Sequence, residues 1–394
     1  MLNQYFEFYN PVKILSGKNA LEHIPHELLT IGCSKPLILT NQMLKDIGVL
    51  KILLDAFSGS EIEATAVFTD VPQDSSVETV NKAVQYYRET ACDSVIAIGG
   101  GSVIDTAKGL GIVISQGGED LRNYMGAETL KRGKKAPFIA IPTTAGTGSE
   151  VTLVAVIKDH ERNLKMEFVS YHLLPDAAVL DPRLTVSLPP RITASTGMDA
   201  LTHAIEAYTC IQANPLSSAY AISAMALIRE NLIPCVKDGK NESCRMALAN
   251  ASLIAGAAFS NSMVGLVHAM GHALGGVCGV PHGDAMGILL PYCMEYNSRA
   301  EKELYSELLL HIKGEEAYTA TPKESRNEAA IVAVRSMLHA CNSLCGLPVK
   351  LSDTGVKTGD LGRVADAAQN DGALLMNPVE AGKDDIIWIL KQAY

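Results

Sequence analysis

Three short runs without a single charge set the terms for the first half of this chain: Pro36–Asn41 (PLILTN), Ser94–Gly100 (SVIAIGG) and Pro137–Thr143 (PFIAIPT). Between them lie stretches with helical spacing, Ser76–Arg88 and Val103–Ile114. Near-continuous apolar strands that alternate with helices specify a parallel sheet covered on both faces. Val151–Lys158 and Lys165–Ser170 read as an antiparallel pair turning around residues 159–163. Ala177–Leu180 reads as a last strand, closed by Asp181-Pro182. Beyond Pro189-Pro190 the texture changes. Apolar residues recur at helical spacing through 192–210, 216–234, 243–273, 299–312 and 325–345. The chain therefore reads as an α/β domain over residues 1–190 and an all-helical domain over 191–394, with a ligand cleft expected between them. The polar segment Gly314–Arg326 reads as an exposed loop.

Composition excludes several classes of function. The 394 residues are 47% hydrophobic, enough to bury a large core, which rules out disordered and fibrous chains. Aromatic residues are 5%, with one Trp, and the net charge is −10. Nucleic acid and anionic membrane surfaces are thus poor partners. The nine cysteines are scattered without a Cys-x-x-Cys pair, and Cys341 and Cys345 sit one helical turn apart. A reducing compartment fits. Met1–Pro11 lacks the basic start and apolar run of a signal peptide, and no apolar stretch reaches the roughly 18 residues of a membrane span. The reading is a soluble, cytoplasmic protein.

Gly99, Gly100, Gly101 and Ser102 fall between a buried strand and a helix. Glycines there let backbone approach a ligand, and the helix start offers unpaired N–H groups, a combination that suits a pyrophosphate. Ser102 can cap the helix or donate to a phosphate. The spacing is not the common G-x-G-x-x-G. A second segment, Ile141–Glu150, packs four hydroxyls and two glycines into ten residues after another strand, and can wrap a nucleotide. At the end of the first strand, where an acidic residue would hold a ribose 2′-hydroxyl and repel a 2′-phosphate, stands the neutral Asn41. NAD and NADP are both left open.

Asp199 and His203 lie four apart in a helical pattern, as do His268 and His272, and His282 follows in a Pro-His-Gly turn. Spacing of four puts both side chains on one helix face. Two such pairs and a loop histidine can converge on a divalent metal between two helices. Carboxylate and imidazole donors without thiolate suit Fe(II), Zn or a similar ion. Spacing does not say which of His268, His272 and His282 stays outside the ligand set.

The segments GMDALTHAIEAY, GLVHAMGHALGG, PHGDAMGILLP, AIGGGSVIDTAK and PTTAGTGSEVT resemble, in order and spacing, the signatures of the iron-containing (group III) alcohol dehydrogenases. The resemblance runs over nearly the whole chain. It implies a dehydroquinate synthase-like fold, with an N-terminal dinucleotide-binding α/β domain and an all-α C-terminal domain. It also implies a homodimer or higher homo-oligomer, and NAD(P)-linked interconversion of alcohols with aldehydes or ketones. Carried over by motif, Asp199, His203, His268 and His282 are the metal ligands, for Fe(II) first and Zn second. His272 is then left for proton transfer. Gly99 to Ser102 hold the pyrophosphate, Thr143, Thr144 and Thr147 contact the cofactor, and Lys165 matches a cofactor-binding lysine. Three departures stand out: Asn41 for a common Asp, Gln73-Asp74 for a common Asn-Pro, and Asn377-Pro378-Val379 for a common Asn-Pro-Arg.

On this reading the metal polarises the substrate oxygen and hydride passes to or from the nicotinamide. Phe259–Val264 and Val154 are expected to shape the pocket, and no Arg offers itself to clamp an anionic substrate. Short alcohols and aldehydes are favoured. A dehydroquinate synthase-like or glycerol dehydrogenase-like enzyme, or a reductase for a specialised aldehyde, is the alternative. A metal-dependent hydrolase would need no dinucleotide loops, and a binding protein that merely kept the fold would be expected to have lost a ligand or a glycine.

Overall fold

The computed structural model describes residues 5–394 except 63, 128, 129, 132, 134 and 163. It divides into two units: Asn10–Val186, and Ser187–Tyr394 together with the N-terminal stretch ending at Tyr9. The N-terminal reading rested partly on residues 1–4, which lie outside the described residues, as does position 163 of the expected turn.

In the first unit the strands are β1 Lys13–Ser16, β2 Pro36–Leu39, β3 Ala66–Phe68, β4 Ser94–Gly99, β5 Gly126–Ala127, β6 Phe138–Pro142, β7 Val154–Asp159, β8 Leu164–Val169 and β9 Ala177–Leu180. Its helices are α1 Ile24–Thr30, α2 Gln42–Asp46, α3 Val49–Asp55, α4 Val77–Glu89 and α5 Gly101–Gln116. Six strands form a parallel sheet in the order β1-β9-β6-β4-β2-β3. Every residue of β2, β4, β6 and β9 is buried, which is why these strands read as unbroken apolar runs. Their side chains alternate between two cores. Leu37, Leu39, Val95, Ala97 and Phe138 meet α4 and α5, while Ile38, Ile96, Ile98, Ile139 and Ile141 meet α1 and α3. The two edge strands, β1 and β3, are half-exposed and short, and they lack the apolar pattern by which the inner strands are recognised. β7 and β8 pair antiparallel, as their sequences predict, and β5 adds to β8.

The second unit holds α6 Pro190–Thr209, α7 Pro215–Lys237, α8 Glu242–Phe259, α9 Leu266–Cys278, α10 His282–Ala300, α11 Leu308–Lys313, α12 Glu315–Ala320, α13 Arg326–Cys345, α14 Leu361–Ala368 and α15 Lys383–Gln392. The stretch 243–273 is two helices, not one. The chain breaks after Phe259, and Met263 takes a left-handed φ of 78°, before α9 starts. Gly314–Arg326 is not a loop either: α12 and a short 3-10 turn fill it, wholly without buried residues. A helix that buries no residue leaves no apolar stripe to read. α7 corrects a third expectation, being long and apolar enough to cross a membrane by length and composition. Here it packs against α6 and α8, with Ala221, Ala224, Met225, Ile228 and Leu232 buried.

Arg245, itself buried, fastens the start of α6. Its guanidinium donates to the carbonyls of Gly239 and Leu188 and to the Thr193 hydroxyl, at 2.8, 2.9 and 2.6 Å. That anchor matters because α6 carries two of the four clustered donors.

Candidate metal centre and nucleotide loops

Three helices deliver the donors. α6 carries Asp199 and His203, α9 carries His268, and α10 begins at His282. His282 therefore opens a helix and is not a loop histidine. One ligand atom from each residue lies within 4.8 Å of every other. His203 Nδ1 and His282 Nε2 stand 3.8 and 3.4 Å from Asp199 Oδ1. Donors about 2.1 Å from one ion in a tetrahedron would stand ~3.4 Å apart.

Polar satisfaction says the same. Asp199 Oδ1, His203 Nδ1 and His268 Nε2 are buried with no hydrogen-bond partner, an arrangement that costs free energy unless something binds them. Burial holds His203 down to about 3 and His268 well below its ordinary value, so both rings are neutral and keep a lone pair for a cation. One carboxylate and three imidazoles, without thiolate, fit a borderline divalent ion.

Two carboxylates that the sequence reading passed over orient His268 of this cluster and the neighbouring His272. His268 Nδ1 donates to Glu206 Oε2 at 2.5 Å, which leaves Nε2 for the cluster. Glu206 Oε1 also accepts the Val267 N–H at 2.7 Å, and Asn377 Oδ1 accepts that of Leu266 at 3.3 Å. Together they cap the first turn of α9. The Asn kept from the altered Asn-Pro-Val thus has a structural task. Burial pushes Glu206 up to about 7, against the pull of the Gly265 and Val267 amides. The second carboxylate, Asp371, takes a hydrogen bond from His272 Nδ1 at 2.8 Å. Burial would raise Asp371, yet that bond and the His272 charge hold it below its ordinary value. His272 stacks on His282 with centroids 5.4 Å apart, and Phe259 stacks on His203 at 4.4 Å. Glu206 lay in plain sight, one turn beyond His203. Asp371 is 99 residues from its partner.

The nucleotide-side residues belong to the α/β unit. Asn41 and the glycine turn follow β2 and β4, on either side of the point where the sheet order reverses, a usual ligand crevice in open parallel sheets. The α5 helix starts at Gly101 with Gly100 as its N-cap and no side-chain cap. Ser102 does not cap it; its hydroxyl donates to the Gln73 carbonyl. A Cβ on Gly99 would stand 2.4 Å from Val103 Cγ2, so no other residue fits that turn without a shift. The two loops touch. Thr143 N–H donates to the Gly99 carbonyl at 3.0 Å, and Thr144 and Thr147 face Gly100 and Gly101. Thr147 Oγ1 accepts the Ser149 N–H at 3.3 Å.

Behind this loop lies a fully buried lysine. Lys108 Nζ donates to Ser149 Oγ, Thr152 Oγ1 and the Val154 carbonyl at 3.0, 2.9 and 2.7 Å. Ser149 Oγ in turn donates to Asp105 Oδ1 at 2.8 Å. Burial lowers Lys108 to about 8 and raises Glu150 to about 7. Asn41 is the N-cap of α2, its Oδ1 accepting from Leu44 N–H at 2.9 Å. Lys165 is exposed on β8, opposite Lys158.

Two family models together match most of the chain. The family model "Iron-containing alcohol dehydrogenase" matches residues 11–182, and "Fe-containing alcohol dehydrogenase family, C-terminal" matches 193–394. The 1,3-propanediol dehydrogenase of Klebsiella pneumoniae is 36% identical, with 100% of each chain covered. The NAD-dependent methanol dehydrogenase of Bacillus methanolicus is 35% identical over 98% of this chain and 99% of that one. A crystal structure of a 1,3-propanediol oxidoreductase superposes with a TM-score of 0.94 at 36% identity, covering 99% of this chain and 100% of the other.

Proposed function

The chain belongs to the iron-containing alcohol dehydrogenase family, and from that premise we propose that it reduces short, uncharged aldehydes and oxidises the matching alcohols. It is an NAD(P)-linked oxidoreductase of CH–OH groups that uses a divalent metal. The finer assignment is that Asp199, His203, His268 and His282 hold Fe(II), or Zn in its place. One observation carries it: three buried donor atoms without partners, within 4.8 Å of a fourth.

Bound here, the metal supplies Lewis-acid polarisation of the substrate oxygen and the nicotinamide supplies the hydride or takes it. The chain's own groups do the rest. Glu206 fixes the tautomer of His268. Asp371 engages Nδ1 of His272, so Nε2 of His272 is the atom that takes or returns the proton. The first turn of α5 offers backbone N–H groups to a pyrophosphate, with Gly99–Gly101 and Thr143, Thr144 and Thr147 beside it. Asn41 is neutral and does not repel a 2′-phosphate. Asn41→Asp keeps the α2 cap and is expected to raise the preference for NADH over NADPH about tenfold; an unchanged ratio would remove Asn41 from the ribose site.

The 1,3-propanediol and methanol dehydrogenases among the relatives favour small alcohols and diols as substrates. The scattered cysteines, without a Cys-x-x-Cys pair, support a cytoplasmic enzyme. The test is an anaerobic panel of short aldehydes with NADH and NADPH, run on metal-free protein reloaded with Fe(II) or Zn. Cofactor oxidation that needs the metal is the expected result. Nucleotide binding without turnover on any aldehyde or metal would overturn the reading in favour of a lyase-like enzyme.

A further inference from the structure

α6 bears polar residues at four-residue intervals: Arg191, Ser195, Asp199 and His203. The last two belong to the donor cluster, and the first two grip α10. Arg191 Nη1 and Nη2 donate to Asp284 Oδ1 and Oδ2, each at 2.7 Å. Ser195 Oγ donates to Asp284 Oδ1 at 2.9 Å. Asp284 is 4% exposed and sits in the first turn of α10, two residues beyond His282. The residue between them is glycine for a reason: a Cβ on Gly283 would stand 2.6 Å from both the carbonyl oxygen and the hydroxyl of Ser195. The start of α10 is therefore pressed onto α6 and held there by a forked ion pair.

This grip lies next to the weakest-held donor. The side chains of Asp199, His203 and His268 are 3–6% exposed, but that of His282 is 39% exposed. Packing fixes the first three. Pro281, the N-cap of α10, makes no side-chain cap bond, and Asp284 is the side chain that ties the turn carrying His282 to α6.

We propose that the Arg191–Ser195–Asp284 clamp is a positioning element that sets how long the metal stays bound, by fixing the distance between His282 on α10 and Asp199 on α6. The inference rests on the metal reading above. A bidentate guanidinium–carboxylate pair fixes both distance and orientation, which a single ammonium does not, and a donor misplaced by an ångström loses most of its value to the ion.

The experiment is metal release from the Zn-loaded protein into a chromogenic chelator, followed in time, with NADH binding and thermal unfolding measured alongside. Ser195→Ala is expected to speed release about threefold, Arg191→Lys by a similar factor, and Arg191→Met at least tenfold. NADH affinity is expected to stay within twofold in all three. Should Arg191→Met fail to fold, Ser195→Ala and Arg191→Lys decide the matter, since both keep the side-chain volume nearly intact. Release within twofold of the parent in folded variants would overturn the clamp and leave the metal reading standing. A parent protein that takes up no divalent ion would overturn the metal reading itself.

Discussion

On the reading proposed above, the groups of the α/β unit that meet a ligand are backbone amides and hydroxyls of two loops, and their support is a buried lysine on α5. In the helical unit they are three imidazoles and a carboxylate projected from three helices, and their support is a pair of acidic side chains, Glu206 and Asp284. The contrast follows from the ligands. A pyrophosphate is large and diffuse, and helix-start amides meet it with fixed partial charges. A metal ion is a point, so it needs lone pairs brought to one place and orphaned there until it binds. The first region should be sensitive to loop stiffness, and the second to single atoms.

The sharpest test of the second half is His268→Ala. It removes one of the orphaned donors and the bond to Glu206. We expect metal content to fall below about a tenth of an ion per chain, with turnover lost and circular dichroism retained. Metal content equal to the parent's would break the comparison, because the cluster would then not be the binding point.

Lys108→Met probes the other half. It takes a nearby positive charge away from Asp105 and leaves the Ser149 and Thr152 hydroxyls short of a partner. Removing one member of a buried charged network costs about 3–5 kcal/mol, to be read by denaturant unfolding. The variant is expected to lose nucleotide affinity and to keep its metal. Loss of metal at equal occupancy of the folded state would show that the two regions are energetically one.

The difference in how the two regions are built also decided what was legible. Helical spacing turns sequence separation into geometry, so Asp199 with His203 and the histidines of α9 could be paired on paper. The tertiary partners could not. Asp371 reaches His272 from 99 residues away, and Asp284 reaches Arg191 from 93. Lys108 could not be singled out either, because nothing local marks a lysine that a loop will bury. The inner strands β2, β4, β6 and β9 were legible because both of their faces are buried. Edge strands β1 and β3 were not, because neither face is. The break after Phe259 escaped notice since residues 260–265 carry no proline, and the left-handed turn falls on Met263.

Glu206→Gln sharpens the comparison further. The amide can still accept from Val267, so the α9 cap survives, but the charge behind His268 is gone. Such outer partners are worth about 10–100-fold in metal affinity. We expect a loss in that range by competition with a chelator, and nucleotide affinity unchanged.

The smallest effect concerns Glu150, beside Lys108. Its carboxyl is 2% exposed and burial lifts it from its ordinary 4.5 to about 7. Between those values the folded chain keeps a proton that the unfolded chain has released. Stability contributed by this group is therefore full below pH 4.5 and falls as pH rises towards 7. The slope is at most about 1.4 kcal/mol per pH unit. Glu150→Gln removes that share while keeping the shape. Glu206, also lifted to about 7, contributes the same sign from the helical unit, so the slope should shrink without vanishing. Adding Glu206→Gln should remove the remainder of their joint contribution. If the single Glu150 substitution leaves the slope untouched, Glu150 is ionised in the fold and Lys108 is its full counter-charge. The nucleotide loop would then rest on an ion pair in place of a lysine held by neutral acceptors.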